Sequence, residues 1–380
     1  MLAFTLLLFG YPLAGMAWRS VASPEIAETM PNLAHVIATW NGAGLPDDAV
    51  FAATAHDLRA AAEAHTTAAF ATRLNYQEIG ARTLVMRSAA RLAQRPPDPA
   101  TARATLIALD PRWADPATWQ LIRDAARPLT PFYLLAALDL VWTPNGHVVP
   151  AGPDHAIFLA ILGRTLWMGF VVTLATLLLG FPVAHLLATA PPRWRNLLMI
   201  AVLLPFWTSL LVRVSAWIVL LQKEGIINNA LVTLGIIAQP LQLVFNRTGV
   251  YVTMVHVLLP FMILPLYSVM LGIPPSYVRA AASLGAPPVR AFLTAYLPQA
   301  LPGIGAGCTL VFIIAIGYYI TPALVGGARD QMLSYFIAFF TNQTINWGMA
   351  SALAMLLLIV TALLYGVYQR LAGSGGLRFG

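Results

Sequence analysis

Charged side chains are scarce in this 380-residue sequence. Only 10% of its residues are Asp, Glu, Lys or Arg, whereas soluble domains contain about 25%, and 59% are hydrophobic. Acids are nearly confined to one region, because 13 of the 15 lie between Glu25 and Asp154, together with 10 of the 22 basic residues. The rest of the chain after that region has 11 basic residues and only two acids, Glu224 and Asp330. This imbalance predicts two regions in two solvents, one aqueous and one largely lipid.

Several residue types needed for chemistry are also missing. The single cysteine, Cys308, excludes an intramolecular disulfide and a cysteine zinc site, and its apolar surroundings indicate a small core residue. A nucleotide-binding P-loop needs a Gly-Lys-Ser/Thr sequence, but the only lysine, Lys223, lies in LQKEGI. No G-x-S-x-G or H-E-x-x-H motif occurs, and no two histidines form an i, i+4 pair on one helix. We therefore predict no catalytic residue, no metal site and no cofactor bound by this chain.

The N-terminal part predicts a membrane anchor followed by a soluble domain. Residues 2–18 are apolar and just long enough to cross a bilayer, so we interpret 1–20 as a first transmembrane helix. A cleaved signal peptide is the alternative, although the basic leader of such a peptide is missing. Residues 21–155 combine mixed charge with amphipathic helical spacing, as in LNYQEIGARTLVMRSAARLA, and have turn signals at RPPDPA and LDPRWADP. We predict one mainly helical domain there and find no alternation that predicts a sheet.

Long apolar runs dominate the remainder of the chain. Five of them are near the roughly 20 residues needed to cross a membrane, at about 157–187, 196–221, 249–272, 300–321 and 349–369. The connectors 188–195 and 273–299 and the C-terminal tail hold six arginines and no acid, which places them in the cytoplasm by the positive-inside rule. Because the arginines are scattered between apolar runs, they indicate topology and do not predict nucleic-acid binding.

These features together predict an all-α integral membrane protein with about six transmembrane helices. Residues 156–372 would form a five-helix core and 373–380 a cytoplasmic tail. Both termini would be cytoplasmic, and residues 21–155 would lie on the outer side of the membrane.

A few polar and aromatic residues fall inside or near the predicted spans. Arg213 lies inside one span, where an unpaired guanidinium is costly. It could snorkel to the outer headgroups or face the bundle, where it would order helices or line a path, and both interpretations stay open. For His185 and His256, structural hydrogen bonds are favoured over substrate contact. The candidate residues for a translocation path are Arg213, Trp207, Tyr251, His256, Tyr267 and Tyr318.

The connector 273–299 has an unusual sequence for a link between spans. Its stretch IPPSYVRAAASLGAPPVRAFLTAYLPQALPG predicts a helix from Tyr277 to Leu284, capped by Ser276 and ended by Gly285 in a left-handed conformation. Pro287 and Pro288 can start another turn. The pattern predicts a rigid helix–turn–helix on the cytoplasmic face, with a small alanine surface that allows close approach by another protein.

The same connector resembles a signature of the integral-membrane subunits of binding-protein-dependent ABC importers. That signature reads E-A-A, three residues, G, nine residues, I-x-L-P. Here Arg279-Ala280-Ala281 is followed by Gly285 and then by Leu297-Pro298 at the same spacing, with Arg279 in place of the acid and Ala295 in place of the isoleucine. Residues from about 156 to 370 resemble the spermidine/putrescine-type group of these permeases. The stretches that also carry this resemblance are PFWTSLLVRVSAWIVLLQKEGIINNALVTLGI and GYYITPALVGGARDQM. The long insert before residue 155 is not covered by this resemblance.

The resemblance implies a type I permease fold and a role for 273–299 as the coupling loop that docks into a cytoplasmic ABC ATPase. Its docking residues would be Arg279, Ala280, Ala281, Ala282, Ser283, Leu284, Gly285, Ala286, Leu297 and Pro298. The implied partners are that ATPase, which holds ATP and Mg, a second permease subunit in a heterodimer, a periplasmic solute-binding protein and membrane lipid. The implied substrate is a small polar solute of the polyamine type.

Arg279 departs from the acidic first position of this signature, and the departure has a physical consequence. With Ser276 as the cap, it would occupy the third helical position, where an acid would complete a capping box and suit the helix dipole. We hypothesise that Arg279 pairs with a carboxylate of the ATPase, and a solvated loop charge is the alternative.

Two other function classes stay open. A stand-alone secondary transporter or channel would favour internal repeats or ionisable residues at mid-membrane, and we find neither a convincing repeat nor a membrane acid. A membrane-anchored sensor or scaffold would use the N-terminal domain as its working part.

Overall fold

The computed structural model describes residues 4, 6–95, 98–143, 147–153 and 156–374. The chain divides into two compact units. The first, here called the N-terminal unit, comprises Met1–His155 with Asn346–Ala352, and the second, the membrane unit, comprises Ala156–Ile345 with Leu353–Gly380. Most of the predicted cytoplasmic tail, residues 375–380, lies outside the described residues.

Short helices make up the N-terminal unit. After a π-helical turn at Leu6–Gly10, they are α1 (Tyr11–Arg19), α2 (Glu25–Thr29), α3 (Pro31–Ile37), α4 (Asp48–Glu63), α5 (Thr67–Asn75), α6 (Ala81–Gln94), α7 (Ala102–Leu109), α8 (Pro116–Ala125) and α9 (Phe132–Ala137). Two 3-10 turns lie at Pro99–Thr101 and Pro111–Ala114. A two-stranded antiparallel hairpin of β1 (Leu140–Trp142) and β2 (Val148–Pro150) follows. The sequence predicted no sheet, because strands of three residues are too short to display an alternating pattern.

The apolar faces of these helices meet in one core. Helix α6 buries positions 81, 84, 85, 88, 89 and 92, which is the spacing of one helical face. Two fully buried tryptophans lie in this core, and both indole groups are satisfied. Trp113 Nε1 donates to Ser88 Oγ at 2.9 Å, and Trp119 Nε1 donates to the carbonyl of Trp113 at 2.9 Å. Such bonds let large amphipathic rings be buried without an unpaired donor.

Longer, more apolar helices make up the membrane unit. They are α10 (Phe158–Thr189), α11 (Pro192–Leu203), α12 (Leu210–Leu221), α13 (Ile226–Thr233), α14 (Arg247–Leu271), α15 (Ser276–Ser283), α16 (Pro288–Ala291), α17 (Leu297–Gly317), α18 (Ile320–Val325), α19 (Leu333–Asn342) and α20 (Trp347–Ser374). Helix α20 belongs to this unit from Leu353 onward. A π-helix, Phe292–Tyr296, joins α16 to α17, and 3-10 turns lie at Leu204–Trp207 and Ala328–Asp330.

Among the described residues, four helical segments are long and apolar enough to cross a membrane. They are Phe158–Thr189, Arg247–Leu271, Pro288–Gly317 and Trp347–Arg370. The segment predicted as one straight span at 196–221 is instead broken, because Pro192–Trp207 and Leu210–Thr233 meet at 98°. Thr208 is extended at the break, and Ser209 caps α12 by accepting a hydrogen bond from Val212 N at 3.2 Å. The capping serine thus starts a second helix where hydropathy alone indicates continuity.

Only part of the predicted first span, residues 1–20, lies among the described residues, and that part is shorter than a membrane-crossing helix. Its described part, Leu6–Arg19, has 14 residues and would be about 21 Å long, less than the roughly 30 Å of a bilayer core. With the broken pair counted as one, the described chain has up to five spans.

Glycines let the three long helices α10, α14 and α17 approach closely. A Cβ on Gly169 of α10 would lie 2.7 Å from Cγ2 of Ile316. A Cβ on Gly307 of α17 would lie 2.7 Å from the sulfur of Met262 in α14. Small residues at such crossings are typical of membrane helix packing, where van der Waals contact replaces the hydrophobic effect.

Candidate functional site

The connector 273–299, which is the predicted coupling loop, begins with a proline-capped helix. Pro275 has helical torsion angles and is the N-cap of α15, and the first intrahelical bond runs from Arg279 N to the carbonyl of Pro275 at 3.2 Å. The prediction that Ser276 caps this helix is wrong, since Ser276 is its first helical residue. Arg279 therefore stands fourth in the helix, where a capping box with Ser276 cannot form. Proline suits this start because its fixed φ is already helical and its missing N–H is not needed there.

The end of α15 is a complete Schellman motif. Gly285 has φ +84°, its N–H donates to the carbonyl of Ala282 at 3.0 Å, and Ala286 N–H donates to the carbonyl of Ala281 at 3.0 Å. These bonds satisfy carbonyls that the helix end leaves free. The predicted left-handed Gly285 is confirmed. A Cβ at position 285 would meet no atom within 4 Å. The positive φ is therefore the reason for glycine at this position, and crowding by other residues of the chain is not.

The tip of the loop presents small and apolar groups to the exterior. Ala280, Ala282 and Ser283 are exposed, and Leu284 is 90% exposed. Burying an isolated leucine stabilises an interface by about 1.5–3 kcal/mol, so such exposure suits a protein contact.

Three further exposed apolar residues of the loop were not among the predicted docking residues, namely Tyr277, Val289 and Leu293. The seven-residue spacing of Tyr277 and Leu284 could have indicated a shared helix face. Leu297 and Pro298 differ from the tip residues, because they are half-buried at the start of α17.

Arg279 is exposed on α15, and no ion pair of this side chain occurs within the described part of the chain. Its guanidinium is therefore available to a group outside the described chain. This geometry is compatible with both interpretations that the sequence left open.

Three of the candidate path residues lie together. Arg213, on α12, is close enough to His256 and to Tyr318 for its charge to act on both. Its Nε and Nη1 are buried and have no hydrogen-bond partner among the described residues. This position favours the bundle-facing interpretation of Arg213 over snorkelling.

His256 has the structural hydrogen bond that its sequence context predicts. Its Nδ1 accepts a hydrogen bond from Trp217 Nε1 at 3.0 Å, and the two rings meet edge to face at 5.4 Å. Trp217 lies one helical turn after Arg213 on α12, and this i, i+4 spacing could have added it to the candidates.

The other candidate path residues lie elsewhere in the membrane unit. Tyr251 lies one turn after Arg247, Tyr267 lies in the last two turns of α14, and Trp207 is 77% exposed at the break before α12. The six residues therefore do not form one cluster.

A charged network that the sequence did not predict joins distant parts of the membrane unit. Arg247 Nε donates to Asp330 Oδ1 at 3.0 Å, and Gly327 N donates to Asp330 Oδ2 at 3.2 Å. Arg164 donates to the carbonyl of Arg329. Asp330 is thereby held nearly buried between a guanidinium and a backbone amide. No group of three potential metal ligands occurs among the described residues.

The sequence is similar to known membrane permeases, although no family model matches it. It is 36% identical over 216 residues to the spermidine/putrescine transport system permease protein PotB of Haemophilus influenzae, covering 57% of this chain and 76% of that protein. It is 34% identical over 272 residues to the inner membrane ABC transporter permease protein YdcU of Escherichia coli, covering 67% of this chain and 81% of that protein. A solved structure of the MetNI methionine ABC transporter is similar with a TM-score of 0.46 and 19% identity, over 59% of this chain and 98% of that one.

Proposed function

This chain belongs to the PotB-like family of ABC transporter permeases, and on that premise we propose that it imports a small polar solute of the polyamine class. The observation that carries the proposal is the coupling loop, whose rigid Schellman-ended helix presents Leu284 and a small alanine surface outward. The chain is a multi-pass protein of the inner membrane and acts as the membrane component of the importer. The proposed partners are a cytoplasmic ATPase that holds ATP and Mg, a second permease subunit and a periplasmic solute-binding protein.

The loop would act as a mechanical link. Proline at its start and the hydrogen-bonded turn at Gly285 leave α15 few ways to deform, so a push on its surface moves the attached helices. Closure of the ATPases on ATP would supply that push, and tilting of the attached spans would alternate access to the solute. Leu284 would be buried in the ATPase cleft.

Arg279 would contribute charge complementarity to this docking. Its exposed guanidinium stands beside the alanine surface, where we place a carboxylate of the ATPase. Arg279→Glu should then reduce co-purification of the ATPase and transport together, because it sets two like charges against each other. Arg279→Gln is the matched control, since it removes the charge without reversing it and should have a smaller effect. Unchanged assembly and transport in Arg279→Glu would refute this pairing.

Selectivity for a polyamine would not come from Arg213 and its neighbours. A cation favours acids or aromatic faces, and Arg213 repels it, although Trp217 and Tyr318 offer aromatic rings in the same region. We therefore assign selection of the solute mainly to the binding protein or to the second permease. The role of Arg213 would be to order α12 against α14 through its proximity to His256.

The topology we propose has six spans with both termini in the cytoplasm and residues 21–155 in the periplasm. Two observations support it. The helix at Leu6–Arg19 exposes large apolar side chains, with Leu7 70% and Phe9 62% exposed, which suits contact with lipid. The bent pair 192–233 can serve as one span if protein or water covers its break.

Labelling with a membrane-impermeant maleimide tests this orientation. Single cysteines replace Asp48 and Ser283 in a Cys308→Ser background. Intact spheroplasts should label the first and not the second, and the reverse pattern would overturn the topology.

Reconstitution tests the transport function itself. The chain is expressed with a candidate ATPase, a second permease and a solute-binding protein from the same organism, and the purified complex is placed in proteoliposomes. Spermidine-loaded binding protein should stimulate ATP hydrolysis and spermidine uptake. Uptake without ATP would indicate a secondary transporter or channel, and the absence of a complex with the ATPase would favour a sensor or scaffold.

A further inference from the structure

The coupling loop returns to the membrane through an irregular turn. Between α16 and α17, residues Phe292–Tyr296 form a π-helix, in which each turn holds more residues than in an α-helix. Such turns occur often at functional sites, because they disturb regular packing and re-aim side chains. Here the π-helix lies between the exposed loop tip and α17, so a displacement of the loop reaches α17 along the chain only through it, while the other end of the loop continues from α14.

Four rings bind this π-helix to the end of α10. Tyr296 and Phe292 are stacked with centroids 5.4 Å apart. His185 meets them edge-on, at 4.9 Å from Tyr296 and 6.1 Å from Phe292, and Phe181 meets Phe292 edge-on at 6.0 Å. We call Phe181, His185, Phe292 and Tyr296 the ring cluster. Two helices that are far apart in sequence are thus joined at the base of the loop.

One hydrogen bond in the ring cluster joins its tyrosine to its histidine. The hydroxyl of Tyr296 lies 2.9 Å from Nδ1 of His185, and Tyr296 is only 7% exposed. Packing alone would be served by phenylalanine and leucine at these positions. The buried phenol of Tyr296 instead needs a hydrogen-bond partner, and the half-buried imidazole of His185 supplies it.

The end of α10 can respond to a displacement as a unit. Pro182 lies within α10, three residues before His185, and it removes one backbone hydrogen bond of the helix. A helix bends most easily at such a residue. The last turns of α10, which carry His185, can therefore pivot about Pro182 when the π-helix moves.

We propose that the His185–Tyr296 pair transmits the displacement of the coupling loop from α17 to α10, so that the cytoplasmic ends of these helices move together. His185 and Tyr296 are positioning residues, since they act through the loop and contact neither ATP nor solute. The proposal rests on the proposed function, because it takes 273–299 to be the loop that the ATPase pushes.

Distances between spin labels test the coupled movement without a substrate. Cysteines replace Thr189 at the end of α10 and Leu301 in α17, both exposed, in a Cys308→Ser background. In the complete complex, ATP should leave the separation of the labels unchanged. With Tyr296→Phe, which removes only the hydroxyl, ATP should change or broaden that separation. An ATP-dependent change already present without Tyr296→Phe would overturn the proposal, and so would an unchanged separation with it.

The coupling ratio is the second measurement. Tyr296→Phe should lower spermidine transported per ATP hydrolysed about threefold, the effect expected from loss of one hydrogen bond between membrane helices. His185→Leu should lower this coupling ratio by the same factor, and the double variant should lower it no further. His185→Gln should recover part of the lost coupling ratio. Tyr365→Phe is the matched control, because its hydroxyl also has a hydrogen bond, from Gln369 of the same helix at 2.6 Å, and it should leave the ratio unchanged.

The outcomes separate this proposal from the proposed function. A complex that forms and hydrolyses ATP normally, with equal coupling ratios in Tyr296→Phe and Tyr365→Phe, would overturn the inference alone. Loss of assembly in both Tyr296→Phe and His185→Leu would also overturn it, by showing a purely structural role. Failure of the unmodified chain to bind any ATPase would overturn the proposed function.

Discussion

Replacing Gly285 with alanine should weaken docking of the ATPase while leaving the membrane unit folded. Gly285 has φ +84°, and a Cβ at this position would meet no atom of the chain within 4 Å. The whole cost inside the chain is therefore that of a left-handed torsion angle, roughly 1–2 kcal/mol for a residue with a side chain. A penalty of this size reduces the fraction of loops in the docking conformation by about 5- to 30-fold.

The measurement is the affinity of the ATPase for the permease in nanodiscs. We expect it to fall by about 5- to 30-fold for Gly285→Ala and by less for Gly285→Asn, because asparagine visits the left-handed region more readily. Gly366→Ala is the matched control. Gly366 also has open space around its Cβ position but lies within α20 without a positive φ, so the same added methyl group should not reduce affinity.

Equal affinities for Gly285→Ala and Gly366→Ala would refute this reasoning, since they would show that docking does not need the left-handed turn. Equal losses for Gly285→Ala and Gly285→Asn would point to a different cause. In that case the added side chain would collide with the ATPase, and the torsion angle would not be the source of the effect.

Three further predictions concern charge and protonation. The hydrogen-bonded Arg112 guanidinium lowers the pKa of Asp110 below its usual 3.8, so this pair stabilises the N-terminal unit above that pH and the contribution is lost as pH falls through the lower folded pKa. Asp110→Asn should therefore destabilise residues 98–125 less as pH falls through the folded pKa of Asp110, as followed by hydrogen exchange across a pH series, and an effect that does not change with pH would contradict this. Burial raises the pKa of Tyr133 from 10.0 to about 12, so stability due to the neutral phenol is complete below pH 10.0 and is lost as pH rises toward about 12. Tyr133→Phe should reduce alkaline unfolding, and an unchanged alkaline midpoint would argue against this. Arg247→Ala should lower the free energy of unfolding of the membrane unit by about 1–3 kcal/mol, because it leaves the nearly buried Asp330 without its guanidinium. Adding Asp330→Asn should recover most of that loss in thermal melts, whereas additive losses would exclude a direct coupling.

Local sequence predicted the elements whose causes are local. The left-handed Gly285 follows from a glycine placed after a short helix and before prolines, and hydrogen bonds within six residues complete that turn. The apolar runs that became α10, α14 and α20 could be located because each must cover its backbone polar groups by itself in lipid.

Short-range reasoning failed where two local signals competed. Ser276 is a good capping residue, yet Pro275 before it already has helical torsion angles and starts the helix one residue earlier. At Thr208 and Ser209, hydropathy indicated one continuous span, but the serine caps a new helix and the pair bends by 98°. Hydropathy reports burial in lipid and carries no information about such a bend.

Composition, apolar length and a spaced motif are properties of the linear chain, and they were enough to predict the permease family, the apolar segments of α10, α14 and α20 and the turn at Gly285. Which polar groups meet became clear only from the three-dimensional packing. Asp330 bonds Arg247 across 83 residues, and Tyr296 bonds His185 across 111. Such pairs depend on how the helices pack against one another, and that packing is fixed by the fit of side chains and glycines from distant segments rather than by any one of them.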